Sequence, residues 1–279
     1  MSDILATPDR NKEIYTSLDD RILEKRLASP YPIRRHSHAA QWQAFVDLIP
    51  PGSTVLDAGC GPGALSVMLA EHGCHVTGTD ISEPNVVEAK KYAEKKGCSH
   101  RTEFRTADIE HMPFPDKSFD YAVSSHVLEH VPNFAKGASE LSRLAKKHVI
   151  IAIPTCMTLA GMTLLGGDNY WAFSRHSLYA LPYGFLRVVA AFLTGKEGVN
   201  EGYEGNMELI HIWRFPWAGK RRIEEGSLKV VRYRASAIVF PYFAFLLPLS
   251  RFLEKFAWAP IIKECGCGTT YVCEPVTSK

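Results

Sequence analysis

The stretch from Val55 to Ser82, VLDAGCGPGALSVMLAEHGCHVTGTDIS, limits the possible folds of this chain more than any other. Val55 and Leu56 end an apolar run, and Asp57 sits where that strand stops. Gly59, Gly61 and Gly63 then let the backbone turn sharply and approach a ligand with no Cβ in the way. From Ala64 to His72 the apolar residues Leu65, Met68 and Leu69 recur at helical spacing, and Gly73 ends the segment. His75 to Thr79 predicts a second short strand, with Asp80 directly behind it. A buried strand, a glycine turn opening a helix, a second strand and an acid about 20 residues on make a β-α-β unit. Such a unit predicts a doubly wound α/β sheet whose first turn holds a nucleoside-containing ligand.

Glycine spacing alone leaves two ligands open. Gly59, Gly61 and Ala64 satisfy the dinucleotide fingerprint, whose third position tolerates alanine. A dinucleotide needs backbone donors and a helix N-terminus for its pyrophosphate. A ligand carrying an ammonium and a sulfonium is better matched by an acid near the turn, the position of Asp57. A third possibility is a tight turn with a purely structural role.

The next hundred residues bear on the choice. Phe104 to Thr106 predicts a third strand, followed by Ala107, Asp108 and Ile109, and Tyr121 to Ser124 predicts a fourth. The segment SSHVLEHVPN then leads into a helix, and His148 to Ile153 predicts a fifth strand ending at Pro154. With these motifs in this order, the run from Val55 to about Pro154 resembles the class I S-adenosylmethionine-dependent methyltransferases. Within that class it resembles the type 11-like family, which includes quinone methyltransferases and bacterial small-molecule, glycan and lipid methyltransferases. The resemblance implies S-adenosylmethionine as cofactor, held by Asp57, Gly59 and Gly61 at the turn. It implies Asp80, with Ile81, for the ribose hydroxyls, Asp108 and Ile109 flanking the adenine, and Ser125 at the methionine moiety. His126, one residue further, is the candidate general base for a hydroxyl acceptor; its alternative role is a shelf under the cofactor. His130 belongs to a Leu-Glu-His element common in the family and is expected on the following helix as a structural residue. Two other functions stay open beside an O-methyltransferase: a NAD(P)-dependent oxidoreductase on the same β-α-β unit, and a non-catalytic S-adenosylmethionine-binding scaffold.

Composition sets limits on partners and location. With 279 residues, 46% hydrophobic and 22% charged, the chain is a folded protein. A net charge of +2 with no extended basic surface gives no reason to expect nucleic acid. Lys220, Arg221 and Arg222 form the densest basic run and suit a solvated helix face. Met1 to Ala28 is polar and charged, without a signal-peptide pattern. Seven cysteines without a disulfide framework fit a reducing cytoplasm. Cys265, Cys267 and Cys273 lack the paired spacing of structural zinc, so they are assigned to a glycine turn and a closing strand, and no metal site is expected.

The chain divides into a helical arm over residues 1–45, most ordered from Leu18 to Leu27, a cofactor-binding core over 46–154, an insertion over 155–216, and a closing segment over 217–279 with an apolar insertion at 235–265. Trp42, Phe45, Val46 and Ile49 predict a helix leading into the first strand. On that helix Arg34, Arg35, His36 and His38 either reach the active site or lie on the surface. Trp217 to Glu225 is the expected late helix, Leu228 to Tyr233 the sixth strand and Thr269 to Cys273 the seventh, antiparallel one.

Both insertions are rich in aromatics and are expected to form the lid that selects the acceptor. In the first, Asp168, Tyr170, His176 and His211 are candidates for orienting it. Ala235 to Ser250 carries no charge but falls short of the roughly 20 residues a spanning helix needs, and Pro241 and Pro248 interrupt it. A pair of short helices, closing the pocket or resting on a membrane interface, is expected there. Either implies a lipophilic or lipid-linked acceptor met by a cytoplasmic protein, and the second makes that protein peripheral to the membrane. Oligomeric state is not legible.

Overall fold

The computed structural model describes residues 28–201 and 211–276, so the expected order from Leu18 to Leu27 lies outside the described residues. Helix α1 (Pro32–Val46) leads into β1 (Thr54–Ala58), α2 (Ala64–Glu71), β2 (His75–Asp80), α3 (Glu83–Lys95) and β3 (Thr102–Thr106). Then come β4 (Phe119–Ser125), α4 (Phe134–Leu144) and β5 (Ala145–Pro154). The later part holds α5 (Leu159–Leu165), α6 (Ser177–Leu193), the short strands β6 (Gly198–Asn200) and β7 (Ile212–Arg214), α7 (Pro216–Glu224), β8 (Leu228–Ser236), α8 (Leu247–Glu254) and β9 (Gly268–Pro275).

Seven strands make one sheet in the order β3-β2-β1-β4-β5-β9-β8. Pairings β2–β3, β1–β2, β1–β4 and β4–β5 are parallel, whereas β9 runs antiparallel to both β5 and β8. The strand reversal at β1/β4 puts a crevice beyond the carboxyl ends of the central strands, where open α/β sheets collect ligands. An antiparallel strand wedged between the fifth and the last parallel one is the class I methyltransferase arrangement and not the all-parallel dinucleotide sheet.

Alternation along the strands builds two cores. Val55, Tyr121, Val123 and Ile150 face one side and pack with α1, α2 and α3 through Phe45, Leu69 and Ala89. Leu56, Ala122, Ile151 and Ile153 face the other and pack with α4 and α7 through Leu141 and Ile223. Buried on both faces, the central strands β1, β4 and β5 are largely apolar, whereas the edge strands β3 and β8 carry exposed polar residues. Ser82 caps α3, its Oγ accepting from the Asn85 amide at 3.5 Å.

The late insertions fold differently from one expectation. The stretch from Ala235 contributes the end of β8, a loop, and a 3-10 turn running straight into the single helix α8. The prolines account for this: Pro248 sits in the first turn of α8, where a missing amide is tolerated, while Pro241 lies in the irregular loop before it. No helix among the described residues is long and apolar enough to cross a membrane.

Candidate active site

A single cavity of about 480 Å³ opens at the carboxyl ends of β1, β2, β4 and β5. Every residue assigned to the cofactor or to catalysis lines it: Asp57, Gly59 and Gly61 of the turn, Asp80 and Ile81 after β2, Asp108 and Ile109 after β3, and Ser125 and His126 at the end of β4.

The turn is fastened to β2, since the amides of Gly59 and Cys60 both donate to the Thr79 carbonyl, at 2.7 and 2.8 Å. Gly59 has φ +78°, and a Cβ there would lie 2.3 Å from the Val127 side chain. Only glycine therefore lets the turn pass beneath the segment after β4. Asp80 braces the turn from the other side. Its Oδ2 accepts from the Gly61 amide at 2.9 Å, and its Oδ1 accepts from the Ser82 amide at 2.9 Å and the Asn85 side chain at 3.2 Å. A carboxylate has about four acceptor positions, so with three donors bound, capacity remains for one ribose hydroxyl.

Asp57 is buried, and its Oδ2 accepts from the Ser66 hydroxyl at 2.6 Å. Burial pushes its carboxyl up to about 7, against the lowering effect of Ser66 and with a smaller raise from the Asp80 charge. Burial also raises Asp80, against its backbone and Asn85 hydrogen bonds. Two buried acids short of positive charge suit a ligand that brings an ammonium, a sulfonium and sugar hydroxyls, and they disfavour a pyrophosphate. The residues thus fit S-adenosylmethionine. Asp108 accepts from the Glu110 amide at 2.9 Å through Oδ1, which shapes the turn that holds Ile109.

His126 has φ +57°, an uncommon conformation for a residue with a side chain, costing on the order of 1 kcal/mol or more. Its amide is tied to the Ala152 carbonyl at 2.9 Å. The ring is given room by Gly268 at the start of β9, where a Cβ would come within 3.2 Å of His126 Cε1. Nδ1 lies 3.4 Å from Glu129 Oε1, while Nε2 is buried with no hydrogen-bond partner. A carboxylate beside one nitrogen orients the ring and leaves the second nitrogen unpartnered, as a general base requires.

Glu129 is the residue that sequence reasoning passed over. Its side chain is fully buried. Burial alone would raise its carboxyl, but contact with His126 and the charges of His130, His126 and His211 hold it near 2, so it stays ionised. His130 is placed not on the helix after β4 but in a 3-10 turn, Leu128–His130, ahead of α4. It lines the cavity, and burial lowers its pKa to about 4, against the opposing charge of Glu129. The Leu-Glu-His element was the available signal for both.

Of the acceptor candidates, Tyr170 and His211 line the cavity, with Trp171, Trp213 and Glu201 beside them. The Tyr170 hydroxyl donates to Ser37 Oγ of α1 at 2.9 Å. Asp168 and His176 are not in the wall. Asp168 instead staples its own loop, accepting from the Ser174 and Ser177 hydroxyls at 3.0 and 2.7 Å, and His176 stands at the mouth of α6. Helical spacing sorts the four basic residues of α1. Arg34 and His38, one turn apart, reach the cavity, with Arg34 over the Trp171 ring at 4.7 Å. His36 pairs with Glu254 at 3.0 Å, and Arg35 donates to the Ser29 carbonyl.

Comparison with known proteins agrees with this geometry. The family described as a methyltransferase domain matches residues 56–153. A sterol 24-C-methyltransferase of Gibberella zeae is 36% identical over 202 residues, 68% of this chain and 50% of that protein. A 2-methyl-6-phytyl-1,4-hydroquinone methyltransferase of Synechocystis is 39% identical over 115 residues, 41% of this chain and 35% of that protein. The chain thus spans half or less of the length of these relatives. Among solved structures, the magnesium protoporphyrin IX methyltransferase of Synechocystis with bound S-adenosylmethionine superposes with a TM-score of 0.55 over 99% of this chain and 100% of its own, at 16% identity. An S-adenosylmethionine-dependent methyltransferase of Mesorhizobium loti gives 0.52 over 85% and 99%, at 18% identity. The sheet order with its antiparallel β9, the acids at the strand ends and the family match lead to one assignment: the chain belongs to the class I S-adenosylmethionine-dependent methyltransferases.

Proposed function

We propose that this protein O-methylates a hydrophobic small molecule or a lipid-linked acceptor, of the kind handled in natural product biosynthesis. The observation that supports this most is the continuity of one cavity from the cofactor turn to a wall of Tyr170, Trp171 and Trp213. When bound, S-adenosylmethionine supplies a sulfonium methyl for in-line transfer to a nucleophile. Asp57 and Ser125 orient the methionine end, Asp80 and Ile81 hold the ribose, and Asp108 and Ile109 hold the adenine. Positioning of both partners supplies a large part of the barrier reduction. His126, oriented by Glu129, takes the acceptor's proton at Nε2. Such a pair serves a hydroxyl acceptor, whereas a carbon acceptor needs it less. The relatives' names refer to a sterol and a phytyl hydroquinone, in keeping with an apolar acceptor here.

Residues 155–201, 211–216 and 235–265 act as the lid in this reading, and α6 and the segment before α8 also face a lipid surface. Tyr179, Tyr183 and Leu186 recur at i, i+4, i+7 on α6, at 72%, 57% and 62% exposure. Phe243 and Phe245 stand 52% and 75% exposed before α8. Aromatic and aliphatic side chains left in water on short helices, with Arg251 and Lys255 nearby, suit peripheral contact of a cytoplasmic protein with anionic lipid.

The test is transfer of label from methyl-labelled S-adenosylmethionine into a panel of lipophilic hydroxyl compounds. Label in the organic phase, reduced about 100-fold in His126→Ala, supports the reading. Cofactor binding without transfer to any acceptor supports the scaffold alternative. Co-sedimentation with anionic liposomes at low salt, reduced by Phe245→Ser, is expected; its absence removes the lipid contact.

A further inference from the structure

Beyond the cofactor end, the cavity holds a donor set of which the methyl transfer proposed above calls on Glu129 alone. Glu129, His130 and His211 each offer one ligand atom, and the three atoms lie within 4.8 Å of one another. Among the described residues this is the one such group of histidine, cysteine and acidic side chains. All three residues line the cavity. We propose that they bind a divalent transition metal of the zinc class, with an open coordination position facing the acceptor.

Several observations converge on this site. Three atoms at most 4.8 Å apart surround a centre at most ~2.8 Å from each, so shifts below about 1 Å reach the 2.0–2.2 Å bonds of zinc to nitrogen and carboxylate oxygen. The Glu129 side chain has no exposed surface, and its contacts are long ones, 3.4 Å to His126 Nδ1 and 4.0 Å to His130 Nε2, both from Oε1 and short of a well-formed hydrogen bond. A buried carboxylate held so loosely is costly. Arg214 is electrostatically coupled to that carboxylate, but its guanidinium is directed to the Ile212 carbonyl at 3.5 Å and over the Phe134 ring at 5.4 Å.

The surroundings of His211 resemble an outer metal shell. Its Nδ1 meets Glu201 Oε2 at 2.9 Å, and the same oxygen accepts from Trp213 Nε1 at 2.7 Å. A carboxylate that fixes one ring nitrogen, and is itself held, orients the ring and sets its tautomer, as around metal-bound histidines. Two histidines and one carboxylate favour zinc, iron(II), cobalt or manganese over calcium or magnesium, which prefer oxygen donors. Three protein ligands leave a fourth position for an oxygen of the acceptor, whose hydroxyl would ionise more readily on the metal. That role rests on the methyltransferase reading; the binding of metal does not.

The experiment uses tag-free protein carrying Cys265→Ser, which removes the exposed thiol. Equilibrium dialysis against zinc with elemental analysis is run on this protein and on Glu129→Gln, His211→Ala and Glu201→Gln. S-adenosylhomocysteine binding verifies that each variant is folded. One zinc per chain is expected, with affinity at least about tenfold lower in the two ligand variants and about 10- to 100-fold lower in Glu201→Gln. Cobalt(II) in place of zinc should give visible ligand-field bands without thiolate charge-transfer absorption. Absence of zinc from folded protein, equal zinc in all variants, or a thiolate band would each overturn the site. Zinc bound as expected by a protein that transfers no methyl group would retain the metal site and refute the methyltransferase reading alone.

Discussion

The two halves of the molecule reach the same cavity by opposite routes. From β1 to β5 most cavity residues stand at or just after the end of a strand, within a few positions of a glycine, a proline or an acid that marks the turn. From α5 onward, Leu164 of α5 apart, the cavity residues come from loops and from the two-stranded ribbon of β6 and β7. They are held by contacts far apart in the chain: Tyr170 to Ser37, the Tyr242 amide to the Tyr170 carbonyl at 2.9 Å, and Thr155 Oγ1 to the Gly266 carbonyl at 2.9 Å. The cofactor end is specified locally, whereas the acceptor end is specified only by the completed fold. One half can therefore stay constant in chemistry while the other changes its substrate.

Four perturbations test this contrast. The largest effect is expected where α5 and α6 cross. A Cβ on Gly184 would lie 1.7 Å from the Met162 carbonyl oxygen, so Gly184→Ala should cost on the order of 3 kcal/mol. The melting temperature should fall by roughly 5–10 °C, while the protein kept below its melt still binds S-adenosylhomocysteine. Loss of that binding in folded protein would show that the halves are not separable. Next, His126→Ala should lower kcat about 100-fold, near 2.7 kcal/mol, and leave cofactor affinity within about twofold; equal loss of both would make His126 a cofactor shelf.

A third perturbation is pH. The Asp57 carboxyl, raised from 3.8 to about 7 by burial, favours the folded, unliganded protein fully below 3.8, and that contribution is lost as pH rises through about 7. Holding the α-ammonium of the ligand's amino-acid end requires the ionised form. Affinity for S-adenosylhomocysteine should therefore fall by up to about tenfold per pH unit below 7 and level off above it. Calorimetry from pH 5.5 to 8.5 checks this, and a flat profile would remove Asp57 from the methionine end. The smallest effect is expected for Ser66→Ala, which deletes the hydroxyl donating to Asp57 and costs about 1 kcal/mol. It should move the midpoint of that same profile upward; a downward shift would contradict the assigned hydrogen bond.

Sequence legibility follows the same division. All the proposed cofactor residues were readable because glycine spacing, strand ends and acids are local signals, and the strands that carry them were readable with them. Arg34 and His38 could be listed but not separated from Arg35 and His36, since only the packing of α1 over Trp171 decides which face is inside. Asp168 was a plausible acceptor ligand by residue type and became a loop staple, because Ser174 and Ser177 lie within reach of its carboxylate. Glu129 looked like one acid in a short polar turn, and its burial depends on Arg214 and His211 arriving from beyond β6. Glu201 carried no local signal at all, since its partners Trp213 and His211 are brought to it by the pairing of β6 with β7.

The most direct measurement is a calorimetric titration with S-adenosylhomocysteine of the unaltered protein, Asp80→Ala and His211→Ala. A cavity divided into a cofactor end and an acceptor end predicts at least about tenfold weaker binding in Asp80→Ala, roughly 1.4 kcal/mol, and an unchanged value in His211→Ala. Unchanged binding in Asp80→Ala, or an equal loss in both, would contradict that division.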